Sequence, residues 1–358
     1  MTSATAHRGV PHFTMGTYEE GLRMIGARSE VRFSECEINW PMIKYYCALV
    51  EDANPSYWDR EWAQRQWGGL IAPAGMLQVW LSRIQWKPGG VRPSPSLADS
   101  IPLPGDTLIN VSTEAEFLRP MRIGDVLNVV DEVVAITPEK TTRLGTGHFV
   151  TTVATYRNQR GETVARNTNQ LFRFTKSGGG PAGSGGGTRP ATPSGDGTPS
   201  SSPVEPGRAS LTPYPGMLQR RWEDVTDGEP ITRITTEVTL KRVVLDAAAT
   251  WDYFPGHHNV DYAREQGQKT IYINTMFFQG FIDRVITDWA GPQTRILRRK
   301  MTMQRSIYAG DTMFGEGRVT ARRVDDDGRH LLEVEIAVGN DDGVACPATA
   351  TVALPAGG

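Results

Sequence analysis

Residues 251–292, WDYFPGHHNVDYAREQGQKTIYINTMFFQGFIDRVITDWAGP, place a loop of turn-forming residues before a long apolar segment. A helix is predicted from Asn274 onward, because Phe278, Phe281, Ile282, Val285, Ile286 and Trp289 recur at helical spacing. Its apolar stripe is broad and its polar side (Gln279, Asp283, Arg284, Asp288) narrow, as expected of a helix wrapped by a sheet. The loop carries Asp252 five residues before His257. Imidazole titrates near neutrality and an adjacent carboxylate can hold it in position, so such a pair can bind and deprotonate a water.

Two hundred residues earlier the chain reads DANPSY, with Asp52 five residues before Tyr57. A phenol titrates near pKa ~10 and cannot serve as a base near neutral pH. The surroundings repeat as well. Asn39 is a candidate N-cap for Met42, Tyr45, Tyr46 and Leu49, as Thr239 is for Val243, Val244, Ala247 and Trp251. Pro73-Ala-Gly-Met, followed by Leu77, Trp80, Leu81 and Ile84, predicts a first-half counterpart of the long helix. Gly124-Asp125 and Gly310-Asp311 then open strand-rich regions, and Leu332, Val334, Ile336 and Val338 alternate with Glu333 and Glu335 as in a strand with one buried face. The reading is α+β: twice over, a curved antiparallel sheet around a central helix.

Between the halves, residues 177–210 are rich in Gly, Ser and Pro and nearly devoid of apolar side chains, which predicts a disordered linker. A coil of about 34 such residues reaches roughly 30–35 Å, enough for its flanks to pack side by side. The expected organisation is a first lobe over 1–176, the linker over 177–210, and a catalytic lobe over 211–358. The 358 residues, 39% hydrophobic, suffice for two modest cores. A net charge of −2 with mixed signs carries no basic surface for nucleic acid or an anionic membrane. No apolar run has signal-peptide or membrane-spanning length, so a soluble, cytoplasmic protein is expected. Cys36, Cys47 and Cys346 are scattered and odd in number, which argues against disulfides and a zinc site.

The stretches INWPMIKYYCALVEDANPSYWD and GGLIAPAGMLQVW resemble the N-terminal lobe of MaoC-like dehydratases, which have the hot-dog fold. The second half resembles the small catalytic subunit of the heteromeric enoyl-CoA hydratases of actinobacterial steroid side-chain degradation, most specifically in HHNVDYAREQGQKTIYIN and TDWAGP. The resemblance covers most of both lobes. It implies reversible hydration of a trans-2-enoyl-CoA to a 3-hydroxyacyl-CoA, with a bulky or long acyl group, in lipid metabolism. Asp252 and His257 would be catalytic, and the backbone N–H groups of Thr275 and Met276 would stabilise the enolate-like oxygen. Asn274, Phe278, Tyr57, Asp52 and Asn54 are candidate substrate contacts, and the basic run Arg298, Arg299 and Lys300 a candidate for the coenzyme A phosphates. No cofactor beyond the coenzyme A of the substrate is implied, and the lobes would pair within one chain, with a homodimer or higher assembly expected.

By spacing alone, Asp252 reads more readily as a turn cap than as a catalytic group. Adjacent His257 and His258, with Asp261, make a weak metal set, because neighbouring histidines usually point apart. A hot-dog acyl-CoA thioesterase and a non-catalytic acyl-thioester scaffold are the alternative readings.

Overall fold

Asn39 accepts the backbone N–H of Met42 to start a helix over Trp40–Val50, and Thr239 accepts that of Arg242 to start one over Leu240–Thr250. Both helices end on a non-glycine residue in the left-handed region, Glu51 and Trp251, each at φ 56°. This uncommon conformation turns Asp52 and Asp252 into their loops in the same way. The repeat seen in the sequence is thus a repeat of backbone geometry.

The computed structural model describes residues 13–90, 96–176 and 218–355; the expected linker over 177–210 lies outside the described residues. The helices are α1 (Tyr18–Leu22), α2 (Trp40–Val50), α3 (Pro55–Trp58), α4 (Arg60–Trp67), α5 (Leu240–Thr250), α6 (Val260–Glu265) and α7 (Thr275–Ala290). The first-half strands are β1 (Arg32–Phe33), β2 (Thr107–Phe117), β3 (Asn128–Ile136), β4 (Lys140–Thr142), β5 (Gly145–Arg157) and β6 (Thr163–Lys176). Those of the second half are β7 (Pro230–Glu237), β8 (Arg295–Thr302), β9 (Thr312–Val324), β10 (His330–Asn340) and β11 (Gly343–Ala353). They form one antiparallel sheet in the order β1-β3-β5-β6-β2-β8-β11-β10-β9-β7, with β4 on β5. The halves join where β2 meets β8, Ala115 opposite Arg299 and Glu116 opposite Arg298. The two lobes therefore share backbone hydrogen bonds as well as side-chain packing.

The sheet wraps α7, whose Phe277, Phe281, Ile282, Val285 and Ile286 are fully buried. As predicted, Leu332, Val334, Ile336 and Val338 of β10 point into this core. Two expectations change. Tyr45 and Val244, assigned to apolar helix faces, are exposed, because each stands one position round the helix from the buried stripe. The first-half long helix is replaced by two 3₁₀ turns, Ala74–Met76 and Val79–Leu81, and the chain is extended by Ser82. Pro73 supplies no capping side chain and Gly75 lies in the first turn, so a long helix has little to hold it. The backbone also comes too close to α7 there: a Cβ on Gly75 would meet the Tyr46 hydroxyl and the backbone of Gly280, and one on Gly280 would meet the Tyr46 ring. Tyr46 donates across this contact to the carbonyl of Met276 at 2.7 Å.

Candidate active site

His257 ends a 3₁₀ turn, Pro255–His257, in the loop after α5. Its ring lies edge-on to Phe254 and Tyr272, at centroid distances of 5.5 and 5.1 Å. Gly256 makes this possible, since a Cβ there would stand 2.6 Å from the Tyr272 hydroxyl and 2.9 Å from the Phe254 ring. Nδ1 of His257 is 2.8 Å from the carbonyl oxygen of Tyr272, a group that can only accept. The proton therefore resides on Nδ1, and Nε2 is left with its lone pair, 3.5 Å from Oδ2 of Asp252. Burial holds the imidazole below the usual histidine range, against the opposing pull of the Asp252 charge. The ring is thus neutral near pH 7, a base with its lone pair turned to a carboxylate that is 30% exposed. His258 turns away and meets the carbonyl of Tyr253 at 3.1 Å. Among the described residues, no group of three or more His, Cys, Asp or Glu side chains is placed to hold a metal ion.

The N-terminus of α7 lies beside this loop, two residues beyond Tyr272. The side chain of Asn274 accepts the N–H of Phe277 at 2.9 Å and donates to Thr250 at 2.7 Å, while its own N–H goes to Oδ2 of Asp246 at 2.8 Å. Asn274 is therefore committed to capping and is not free to meet a substrate, contrary to expectation. Its cap leaves the first two N–H groups of the helix, those of Thr275 and Met276, without an acceptor among the described residues. They form a pair of donors at the positive end of the helix dipole. Asp246, which the sequence reading missed, is fully buried; burial pushes its carboxyl well above the usual range, and Oδ1 has no partner. Its place in the repeat, opposite Tyr46, was the available signal.

In the first lobe the same loop is put to other use. Asp52 is buried and accepts the N–H of Asn54 at 2.9 Å, Asn54 accepts that of Ser56 at 2.9 Å, and Tyr57 occupies the position of His257. The N–H of Gly75, counterpart of Met276, lies near enough to the Asp283 carboxyl to favour its charged form, against the larger effect of burial. Asp283 is itself paired with the buried guanidinium of Arg299. One donor of the first-lobe pair is thus turned toward an internal carboxyl. Asp52, Asn54 and Tyr57 are not brought together with Asp252 and His257. They lie toward the far end of α7, where Arg284 donates to the Val50 carbonyl at 2.8 Å and Ser56 to that of Pro292 at 3.3 Å. A 16-residue helix is about 24 Å long.

The basic run on β8 is split by strand alternation. Arg299 points inward, is 2% exposed and is spent on Asp283, so it cannot meet a phosphate. Arg298 and Lys300 point to the opposite face of the sheet, away from α7, and both pair with Glu114, Lys300 at 3.6 Å. The expectation of a phosphate site over all three residues is therefore overturned. Phe278, a candidate substrate contact, is 3% exposed and packs in the core.

Comparison with known proteins places this geometry. Residues 23–167 match the family model described as FAS1-like, dehydratase domain region. A probable enoyl-CoA hydratase alpha subunit of Thermomonospora curvata is 36% identical over 168 residues, covering 44% of this chain and 52% of the relative. The 3-oxo-4,17-pregnadiene-20-carboxyl-CoA hydratase beta subunit of Mycobacterium tuberculosis is 39% identical over 79 residues, 22% of this chain and 61% of the relative. The chain thus spans between about half and three fifths of the length of these relatives. A solved MaoC-like dehydratase superposes with a TM-score of 0.68 at 17% identity, over 94% of this chain and all of that one, which establishes the fold. The chain has the double hot-dog fold seen in MaoC-like dehydratases, and its residues 23–167 match the FAS1-like dehydratase domain region.

Proposed function

We propose that the chain adds water reversibly across a trans-2-enoyl-CoA to give a 3-hydroxyacyl-CoA, using one active lobe. The observation that carries this reading is the contact of His257 Nδ1 with the Tyr272 carbonyl. Because Nδ1–H is spent on the Tyr272 carbonyl, Nε2 is the only ring atom available as a base, and it faces Asp252. A water held between Nε2 and Oδ2 would be deprotonated as its oxygen attacks the β-carbon. The proton would then return from the pair to the α-carbon on the same face, so that hydroxide and proton together balance the water consumed. General acid/base help of this kind contributes roughly 10² to 10⁴ in rate. The thioester oxygen becomes enolate-like during attack, and the unspent N–H groups of Thr275 and Met276 would receive it, each such donor contributing roughly 10² to 10³.

The relatives named as enoyl-CoA hydratase subunits support the reaction class, and the one named for a pregnadiene carboxyl-CoA supports a bulky acyl group. A panel of enoyl-CoA esters, from crotonyl-CoA to steroid side-chain mimics, tests the proposal. Loss of enoyl absorbance without thiol release supports hydration; thiol release marks a thioesterase; binding with neither change marks a scaffold.

A further inference from the structure

At the far end of α7, the first-lobe loop and the start of β8 enclose a cavity of about 70 Å³. Its body is apolar, with Ile71, Phe117, Met121 and Ile296 among its walls. Ser56, Trp67 and Thr287 on its wall have their donors engaged within the fold, whereas four other polar groups there are unspent donors. Thr294 is 7% exposed and its buried hydroxyl has no partner. Arg295 is half-buried, lines the cavity and makes no ion pair or side-chain hydrogen bond among the described residues, while its guanidinium feels the repulsion of Arg329. The amide NH₂ of Asn54 and the phenol of Tyr57 likewise meet no acceptor there. A second arginine, Arg119, stands on the wall with only a 3.9 Å contact to Glu162, and no carboxylate lines the cavity among the described residues. A cation withdrawn from water without a counter-ion is costly, and buried charges are ordinarily paired.

We infer that this cavity is a binding site for a small carboxylate with an apolar body, anchored by Arg295 and Thr294. A guanidinium matches a carboxylate through two parallel hydrogen bonds, and the apolar walls favour an organic acid over inorganic phosphate, which needs donors on all sides. The loop that in the second lobe carries the acid/base pair here closes the cavity, so that Tyr57 contributes a donor in place of a base. The site stands at the opposite end of α7 from Asp252 and His257 and does not depend on the hydratase reading.

Ligand-observed NMR and thermal shift with isovalerate, its neutral isostere isovaleramide and inorganic phosphate test the inference, in the millimolar range expected of so small a ligand. Isovalerate should bind and raise the melting temperature. Binding should weaken at least tenfold in Arg295→Gln and severalfold in Thr294→Val, and remain unchanged in Asp252→Asn. The Thr294→Val variant keeps the side-chain shape and removes an unsatisfied hydroxyl, so its folding is secure even if Arg295→Gln proves unstable. Equal binding of acid and amide, equal binding of phosphate, no isovalerate binding, or unchanged affinity in Thr294→Val and a folded Arg295→Gln would each overturn it. Failure of the enoyl-CoA panel would leave this result untouched, since no turnover is measured.

Discussion

Asp52→Asn separates the two lobes, and its effect can be worked from the structure. Asp52 is 4% exposed. Burial is the main cause that raises its pKa from 3.8 to about 7, with the N–H of Asn54 opposing and the Asp288 charge adding. The folded chain therefore keeps a proton that the unfolded chain releases near pH 4. Between these values the unfolded state binds fewer protons, so this group's contribution to stability is complete below pH 4, declines as pH rises, and is lost above about 7. A shift of about three units corresponds to a ceiling of ~4 kcal/mol. Asparagine has no charge to desolvate and its carbonyl can still accept the N–H of Asn54. The variant should match the parent in melting temperature near pH 4 and exceed it by pH 8.5, by about 2–6 °C for a chain of this size. Thermal melts of both proteins across that range read the difference. A gap that does not widen with pH, or a variant less stable than the parent at pH 8.5, refutes the burial argument. Turnover should change little; a loss as large as that of Asp252→Asn would refute the single active lobe.

His257→Ala and Asp252→Asn should each reduce turnover of the enoyl-CoA that the parent accepts by at least 10², with ester binding retained by calorimetry, because each removes half of an acid/base pair. The acid limb of kcat/KM should fall below the usual histidine range, since burial lowers the His257 pKa and the neutral base persists to lower pH; a limb at or above pH 6.5 would contradict the buried tautomer. Gly256→Ala should depress kcat more than it alters binding, as its methyl would press on Tyr272 and Phe254, the two rings that flank the imidazole. Tyr57→His should leave Asp252→Asn inactive; recovered turnover in the double variant would show that the first lobe lacks only a base.

Where the sequence carried a periodic or capping signal, the fold was legible. Asn39, Thr239 and Asn274 cap the helices predicted from them, and β10 alternates as its residues require. The Asp252–His257 pair was legible because both partners lie in one loop whose backbone the repeat defines. The remainder depended on contacts across the fold. Pro73–Ile84 has helical spacing, yet the approach of Tyr46 and Gly280 to Gly75 leaves it only two 3₁₀ turns. The run Arg298-Arg299-Lys300 reads as one basic patch along the chain, whereas a strand sends its middle member to the opposite face. Asp246 and Asp283 read as ordinary polar positions of amphipathic helices, and only the packing of α5 and α7 shows that both are buried.

The difference between the lobes lies in more than the exchange of histidine for tyrosine. Both loops follow a left-handed helix end and bring an aspartate to the same place. In the second lobe that aspartate is partly open, and the helix beyond it has two N–H groups unspent. In the first lobe the aspartate is buried with a pKa near 7, and the N–H of Gly75 faces a carboxyl supplied by the other lobe. Asp283 and Arg299 thus pair with each other inside the core and set a carboxyl beside a backbone N–H of the first lobe. That same internal carboxyl lies against a donor of the kind a thioester oxygen would need, and the chemistry proposed for Asp252 and His257 finds the corresponding donors unspent in the second lobe.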